Sequence, residues 1–381
     1  MFHPMKFLKV VILLLAALPA FTQPRHWTPA EANQWYSRES WLVGANFIPS
    51  TASNQLEMWQ AGTFDPLTID RELGWAESLG MNTVRVFLHD MLWEKDSSGF
   101  EKRINVFLRI ADKHRIKPIF VLFDSCWDPF PEIGPQPPPK PGIHNSRWVQ
   151  SPRADVLANP KKYDQLLAYV QGIIYDYSHD KRILAWDLWN EPGNKGSGDY
   201  GPHEPANKVE LVTALLPRVF EYARAALPTQ PITVGLWQGD WSSPDKLTPI
   251  DKIAVENSDV ISFHNYGPPE EFEKHVHWLQ AYQRPILCTE YMARPRGSTF
   301  QAILPIAKKY NVTAINWGLV AGKTQTIFSW DSWKNPSTDP EPKVWFHDIL
   351  RPDGRPYSVE EVDFIRSITA RGDKSKAART K

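Results

Sequence analysis

Cysteine is scarce in this sequence. Only two of the 381 residues, Cys126 and Cys288, are cysteines. Two cysteines form at most one bridge, so the sequence excludes a small disulfide-held fold and any zinc site made of cysteine ligands alone. The two fall on distant predicted strands, so we expect buried thiols; the export predicted below would also permit a Cys126–Cys288 bridge.

Net charge and several familiar motifs are also lacking. The 43 Lys and Arg residues balance 43 Asp and Glu residues, which leaves no long-range positive field for nucleic acid or an acidic membrane. There is no Gly-x-Ser-x-Gly elbow, no Gly-x-x-x-x-Gly-Lys phosphate loop and no His-Glu-x-x-His pair. We therefore expect a neutral or weakly charged partner, no nucleic acid, no metal and no cofactor.

One long apolar run occurs, at residues 10–18. Lys6 and Lys9 precede it, and small residues follow around Ala20 and Thr22. This pattern predicts a secretory signal peptide over residues 1–22 and a secreted or periplasmic protein. The run is shorter than the ~20 residues of a spanning helix, so we expect no stable membrane association, with an uncleaved anchor as the alternative.

Strand-length apolar runs recur along the rest of the chain, separated by segments of helical periodicity. Continuously apolar interiors, such as residues 119–123, are typical of parallel strands covered on both faces. The candidate strands are residues 41–49, 82–89, 117–124, 183–192, 232–237, 259–267, 285–291 and 314–320, and the clearest helices are 69–79, 160–178, 207–226 and 270–282. This alternation predicts a (β/α)8 barrel, with a doubly wound sheet as the alternative.

Residues 23–370 are predicted to form one domain, followed by a disordered basic tail over residues 371–381. Two segments are insertions longer than the loops that a minimal (β/α)8 barrel needs. Seven prolines between residues 129 and 142 predict a stiff, extended loop after the third strand that walls one side of a cleft. The second insertion, residues 324–343, follows the eighth strand.

Two predicted strands end in a glutamate. The fourth ends in Asn190-Glu191-Pro192, and the seventh ends in Glu290-Tyr291. The carboxyl ends of barrel strands carry the active site, so polar residues there are catalytic candidates. Two carboxylates across one barrel mouth can flank a glycosidic bond.

Residues 189–192, Trp-Asn-Glu-Pro, resemble the Asn-Glu-Pro signature of the clan A glycoside hydrolases. These are retaining (β/α)8 enzymes that include the cellulase-like glycoside hydrolase family 5. The resemblance implies that Glu191 is the general acid/base, that Glu290 is the nucleophile, and that Asn190 binds the sugar 2-hydroxyl. Further positions that match the clan's pattern are Arg85, His264, Tyr266 and Trp317, with Tyr266 expected to hydrogen-bond the nucleophile.

The chain departs from the clan after the third strand. Many members carry a histidine there, whereas this sequence reads Asp-Ser-Cys-Trp-Asp over residues 124–128. We expect Asp124 or Asp128 to take over hydroxyl recognition and Trp127 to contact sugar, although Asp124 could instead pair with an arginine or a basic sugar. Other tryptophans that follow predicted strands are Trp93, Trp148, Trp237, Trp241, Trp330 and Trp333.

The sequence thus predicts a secreted retaining β-glycoside hydrolase that acts on poly- or oligosaccharides. A transglycosylase on the same scaffold and a non-catalytic carbohydrate-binding barrel are the alternatives. Glucan, mannan, xylan and galactoside all stay open as substrates, because loops rather than the catalytic set select the sugar.

Overall fold

The structure is a computed structural model that describes residues 26–196 and 198–370. The predicted signal peptide, residues 1–22, and the predicted tail, residues 371–381, lie outside the described residues. No helix in the described part of the chain has both the length and the apolarity needed to cross a membrane.

Eight parallel strands form the centre of the molecule, and the predicted (β/α)8 barrel is confirmed. The strands are β1 Val43–Asn46, β2 Thr83–Phe87, β3 Lys117–Asp124, β4 Ala185–Asn190, β5 Ile232–Thr233, β6 Ile261–His264, β7 Ile286–Tyr291 and β8 Thr313–Trp317. They pair in the order β5-β4-β3-β2-β1-β8-β7-β6. All eight lie within the predicted strand segments except that β8 begins one residue earlier.

The barrel closes between β5 and β6 through a short contact. Leu236, three residues after β5, forms a parallel bridge with Phe263. Its N–H donates to the carbonyl of Ser262 at 2.9 Å, and its own carbonyl accepts from the N–H of His264 at 2.8 Å. This contact fixes the height of His264 at the barrel mouth.

Eleven α-helices occur among the described residues, most of them packed around the barrel. They are α1 Pro29–Tyr36, α2 Gln55–Trp59, α3 Pro66–Ser78, α4 Asp90–Lys113, α5 Ala154–Leu157, α6 Tyr163–Asp176, α7 Lys208–Ala225, α8 Pro249–Asn257, α9 Pro269–Gln280, α10 Phe300–Lys309 and α11 Val359–Thr369. Short 3-10 turns cover Pro160–Lys162, Gly198–His203, Pro244–Lys246, Arg294–Arg296 and Trp330–Trp333.

Local signals explain where the predicted helices begin and end. Asp65 accepts the N–H of Thr68 and starts α3, and Gly80 follows its end with a φ of 77°, a left-handed conformation that suits glycine. The helix predicted over residues 160–178 instead begins as a 3-10 turn and becomes α6 at Tyr163.

Helix α1 was not predicted, and it covers the amino-terminal end of the barrel. Thr28 caps this helix through a capping box with Glu31. At its other end the Tyr36 hydroxyl lies 2.9 Å from Oγ1 of Thr313, at the start of β8. The helix therefore seals the end of the barrel opposite the strands' carboxyl ends.

The two predicted insertions contact each other at the barrel mouth. The side chain of Gln325 donates to the carbonyl of Lys140 at 2.7 Å and accepts from the N–H of Gly142 at 3.0 Å. The indole N–H of Trp333 donates to the carbonyl of His144 at 2.8 Å. The proline-rich loop and the insertion after β8 thus form one continuous wall.

We expect Gln325→Ala to lower the free energy of unfolding by about 1–3 kcal/mol, because it leaves backbone groups of the proline-rich loop without their partner. Urea denaturation of both proteins measures this difference. Gln301→Ala on the exposed face of α10 is the control and should change stability by less than about 0.5 kcal/mol. Equal stability of Gln325→Ala and the native protein would show that the two insertions do not support each other.

Candidate active site

A cavity of about 720 Å3 opens at the carboxyl ends of the strands, where the sequence placed the site. Glu191 and Glu290 both line it, together with His264, Tyr266 and Asn190. The structure therefore brings together most of the residues predicted from the clan's pattern.

The two glutamates face each other across the barrel mouth. One carboxylate oxygen of each, together with a ring nitrogen of His264, lies within 4.8 Å of the others. Glu191 directly follows β4, and Glu290 is near the end of β7. Two carboxylates at this separation can act on the same bond.

Glu290 is held by partners that favour its ionised form. Its Oε1 accepts from the guanidinium of Arg85 at 2.8 Å, and its Oε2 accepts from the hydroxyl of Tyr266 at 2.7 Å. Burial raises the pKa of Glu290, and the positive charge of Arg85 opposes that rise. Arg85 itself is fully buried below the cavity rather than lining it.

Glu191 has a different set of partners. Its Oε2 accepts from the side-chain amide of Asn194 at 2.8 Å and from the thiol of Cys126 at 3.2 Å. Its Oε1 lies 3.1 Å from Nδ1 of His264. Burial is the largest influence on this carboxyl and raises its pKa, which favours the protonated form that a general acid needs.

His264 lies between the two carboxylates. Its Nδ1 is 3.1 Å from Glu191 and 3.5 Å from Glu290. Burial lowers the pKa of His264 to about 4, so the ring is neutral at pH 7. A neutral ring with its proton on Nδ1 donates a hydrogen bond to whichever carboxylate is ionised.

Asp124 lies beneath the cavity, although the sequence suggested that it recognises a sugar hydroxyl. Its Oδ1 accepts from Asn190 at 2.9 Å, and its Oδ2 accepts from the indole of Trp148 at 2.7 Å. Burial raises the pKa of Asp124 to about 6. In this arrangement Asp124 orients Asn190, whose Oδ1 accepts in turn from Arg85 at 2.7 Å.

Several of the predicted tryptophans line the cavity. Trp127 stacks on Trp333 with centroids 5.1 Å apart and an interplanar angle of 18°. Trp317 lies deeper, edge-on to Trp148 at 5.5 Å. Trp237 and Trp330 also line the cavity. By contrast, Trp93 packs on Tyr169 and Trp241 is buried against His275.

Cys126 and Asn194 are functional candidates that the sequence analysis missed. Cys126 lies in the segment after the third strand where the sequence departs from the clan A pattern, and Asn194 follows Glu191 by three residues. These two positions are the sequence features that could have indicated a role in the site. Both cysteines are free and buried, which confirms the predicted thiols.

The same three side chains that surround the mouth could in principle hold a metal ion. Glu191, His264 and Glu290 are the only metal-ligand cluster within the described part of the chain. The guanidinium of Arg85 already contacts one oxygen of Glu290 at 2.8 Å, and its positive charge would repel a bound cation. The cluster therefore suits acid–base chemistry better than metal binding.

The family described as Cellulase (glycosyl hydrolase family 5) matches this chain over residues 142–325. No curated protein sequence matches. Similar solved structures include GH5_18 from Streptomyces cattleya in complex with Manb1-4GlcNAc, at 14% identity over 89% of this chain and 81% of that chain, with a TM-score of 0.58.

Two further solved structures share the fold. The exo-beta-1,4-mannosidase Op5Man5 from Opitutaceae bacterium strain TAV5 is 18% identical over 89% of this chain and 60% of its own, with a TM-score of 0.57. The endo-1,4-beta-mannanase from Rhizomucor miehei is 15% identical over 88% and 98%, with a TM-score of 0.52. With the family match over residues 142–325, the resemblance seen in the sequence is confirmed, and this chain is a glycosidase similar to glycoside hydrolase family 5.

Proposed function

We propose that this glycosidase retains the configuration at the anomeric carbon, with Glu191 as the acid/base and Glu290 as the nucleophile. The observation that carries the proposal is that one oxygen of each carboxylate lies within 4.8 Å of an oxygen of the other, while each carboxyl group has its own set of partners. Retaining enzymes separate their carboxyl groups by about 5–5.5 Å, whereas inverting enzymes need about 6.5–9.5 Å to hold a water between them.

In the first step, Glu290 attacks the anomeric carbon as the bond from that carbon to the leaving oxygen breaks. Glu191 gives its proton to the leaving oxygen at the same time. Arg85 and Tyr266 hold the attacking carboxylate in place through the two hydrogen bonds described above. The product is a covalent glycosyl-enzyme and a free alcohol.

In the second step, the ionised Glu191 removes a proton from water. The water oxygen bonds to the anomeric carbon, and the bond to Glu290 breaks, which restores both carboxyls to their starting states. His264 donates its Nδ1 proton in a hydrogen bond to the ionised carboxylate in each half of the cycle. A non-catalytic binding barrel would have no use for two carboxylates with such different partners.

β-Mannosides are the substrate class to test first, because the similar structures are described as a complex with Manb1-4GlcNAc, an exo-beta-1,4-mannosidase and an endo-1,4-beta-mannanase. The wall formed by residues 129–142 and the insertion after β8 favours a short pocket over a long groove. The Trp127–Trp333 stack joins the chain just before the proline-rich loop to the insertion after β8, beside the cavity. We propose action at chain ends, in a secreted or periplasmic protein as the apolar N-terminal run predicts.

Replacing each glutamate by alanine should separate the two roles. We expect Glu191→Ala and Glu290→Ala each to lose about 10²–10⁴-fold or more of the turnover on natural glycosides. With an activated aryl β-glycoside and azide, Glu191→Ala should yield the β-glycosyl azide through the covalent intermediate. Glu290→Ala should yield the α-azide, because azide enters from the vacated face. Proton NMR distinguishes the two anomers.

Glu256→Ala, on the exposed surface of α8, is the matched control and should keep native activity. If neither active-site variant forms an azide product while the control remains active, the assignment of the two roles is wrong.

The acidic limb of the pH profile should depend on Tyr266. Tyr266→Phe removes one donor to ionised Glu290, so the pKa of Glu290 rises and the acidic limb of kcat/KM should move up by about 0.5–1 pH unit. Tyr282→Phe is the control, because the Tyr282 hydroxyl has no hydrogen-bond partner in the described part of the chain. An acidic limb that stays in place would show that Tyr266 does not act on the nucleophile.

Chain-end action predicts how a soluble mannan is degraded. Reducing ends should appear while the viscosity falls only slowly, since each cut removes a short product. Trp333→Ala should open the wall and increase the viscosity loss for each new end. Its hydrolysis of small aryl glycosides should change little, because Trp333 does not contact the two glutamates. A rapid initial viscosity drop with few new ends in the native protein would contradict a closed pocket.

A further inference from the structure

The two oxygens of the Glu191 carboxyl lie in different surroundings. Oε2 accepts two hydrogen bonds, from Nδ2 of Asn194 at 2.8 Å and from Sγ of Cys126 at 3.2 Å. Oε1 has only Nδ1 of His264 at 3.1 Å. The carboxyl is thus anchored through one oxygen.

The backbone after β4 turns sharply, so that Asn194, one of the two residues that anchor the Glu191 carboxyl, is only three residues away in sequence. Glu191 has a φ of 45°, a left-handed conformation uncommon for a residue with a side chain. The turn is closed by the N–H of Asn194, which donates to the carbonyl of Glu191 at 2.9 Å. The chain therefore returns at once, and the Asn194 side chain meets the carboxyl of the residue three positions before it.

The orientation of the Asn194 amide follows from its other contact. Its Oδ1 accepts from the N–H of Gly196 at 2.9 Å, so the nitrogen end must point toward Glu191. The assignment of donor and acceptor at this amide is therefore fixed by a backbone group.

Cys126 is also held in place from its own side. Its N–H donates to Oδ1 of Asp124 at 3.0 Å, and the neighbouring N–H of Ser125 donates to the carbonyl of Asn190 at 3.2 Å. Burial, and then the nearby carboxylates, raise the pKa of the Cys126 thiol well above its ordinary value. The thiol therefore keeps its proton and acts as a donor to Glu191.

We propose that Cys126 and Asn194 are positioning residues for Glu191, and that Oε1 is the oxygen that carries and transfers the catalytic proton. Two donors on Oε2 leave that oxygen poorly suited to hold a proton, whereas Oε1 contacts only Nδ1 of His264, the ring nitrogen that also lies 3.5 Å from Glu290. This inference rests on the proposed acid/base role of Glu191. In the first step the proton leaves Oε1 for the glycosidic oxygen, and in the second Oε1 receives a proton from water.

The proposal gives a definite direction to the pKa of Glu191. Hydrogen bonds from Cys126 and Asn194 stabilise the ionised form and oppose the effect of burial. The other charged or titratable groups that face Glu191 come from different elements of the barrel, and they are Arg85, Asp124, His264, Tyr266 and Glu290. None of these is changed by substitution at position 126 or 194.

The test uses pH profiles of kcat/KM for the full-length protein on an aryl β-mannoside, or on whichever aryl β-glycoside proves active. Cys126→Ala and Asn194→Ala should each move the basic limb, which reports the pKa of Glu191, up by about 0.5–1 pH unit. Cys126→Ser retains a donor and should lie closer to the native limb. Cys288→Ala removes a buried thiol whose hydrogen bond goes to the backbone carbonyl of Glu290 rather than to Glu191, and it should leave the basic limb in place.

A series of aryl leaving groups tests the positioning itself. Cys126→Ala should lose about tenfold on the poorest leaving group, which depends on protonation, and much less on a dinitrophenyl glycoside, which does not. Basic limbs that stay at the native pH in both alanine variants, or an equal loss across the whole series, would overturn the inference. A native protein that hydrolyses no β-glycoside would instead contradict the proposed function, and this inference with it.

Discussion

The guanidinium of Arg85, which extends from β2, contacts side chains on β1, β4 and β7 at the barrel mouth. The geometry of the site depends on these contacts. It donates to Asp187 on β4 at 3.0 Å and to Glu290 on β7 at 2.8 Å, and also contacts the amide oxygens of Asn46 on β1 and Asn190 on β4. Taking an arginine fully out of water costs several kcal/mol, and only a complete set of such partners offsets that cost. Each strand that supplies a partner is consequently held at a fixed height.

Arg85 also gives the two glutamates different electrostatic surroundings. Arg85 reaches Glu290 directly but has no hydrogen bond to Glu191. The ionised form of Glu290 is therefore stabilised by a charged hydrogen bond, whereas the charge of Arg85 acts on Glu191 only from a distance, beside the neutral donors Asn194 and Cys126. Burial raises the pKa of both groups, and the direct contact with Arg85 distinguishes the surroundings of Glu290 from those of Glu191.

Much of the fold and the centre of the site could be predicted from the sequence. Buried parallel strands have continuous apolar interiors, and residues at strand ends inherit their positions from the strands, which is why Glu191 and Glu290 could be predicted. Tyr266 was identified through the resemblance to the clan A glycoside hydrolases. Position within a loop is harder to predict. Asp124 pairs in register with Asn190, and that register places its carboxylate below the cavity. The contact between Asn194 and the Glu191 carboxyl depends on the left-handed backbone conformation of Glu191, which residue propensities do not predict.

The positions of the two ends of the described chain have a practical consequence for handling the protein. The backbone N–H of Trp27 donates to Asp259, just before β6, and the hydroxyl of Thr369 at the end of α11 donates to the carbonyl of Leu79, just before β2. The described chain thus begins and ends on the face opposite the cavity. A surface linker joined to either end of the described chain, at residue 26 or residue 370, would therefore turn the open mouth toward the solution and leave the cavity accessible to substrate.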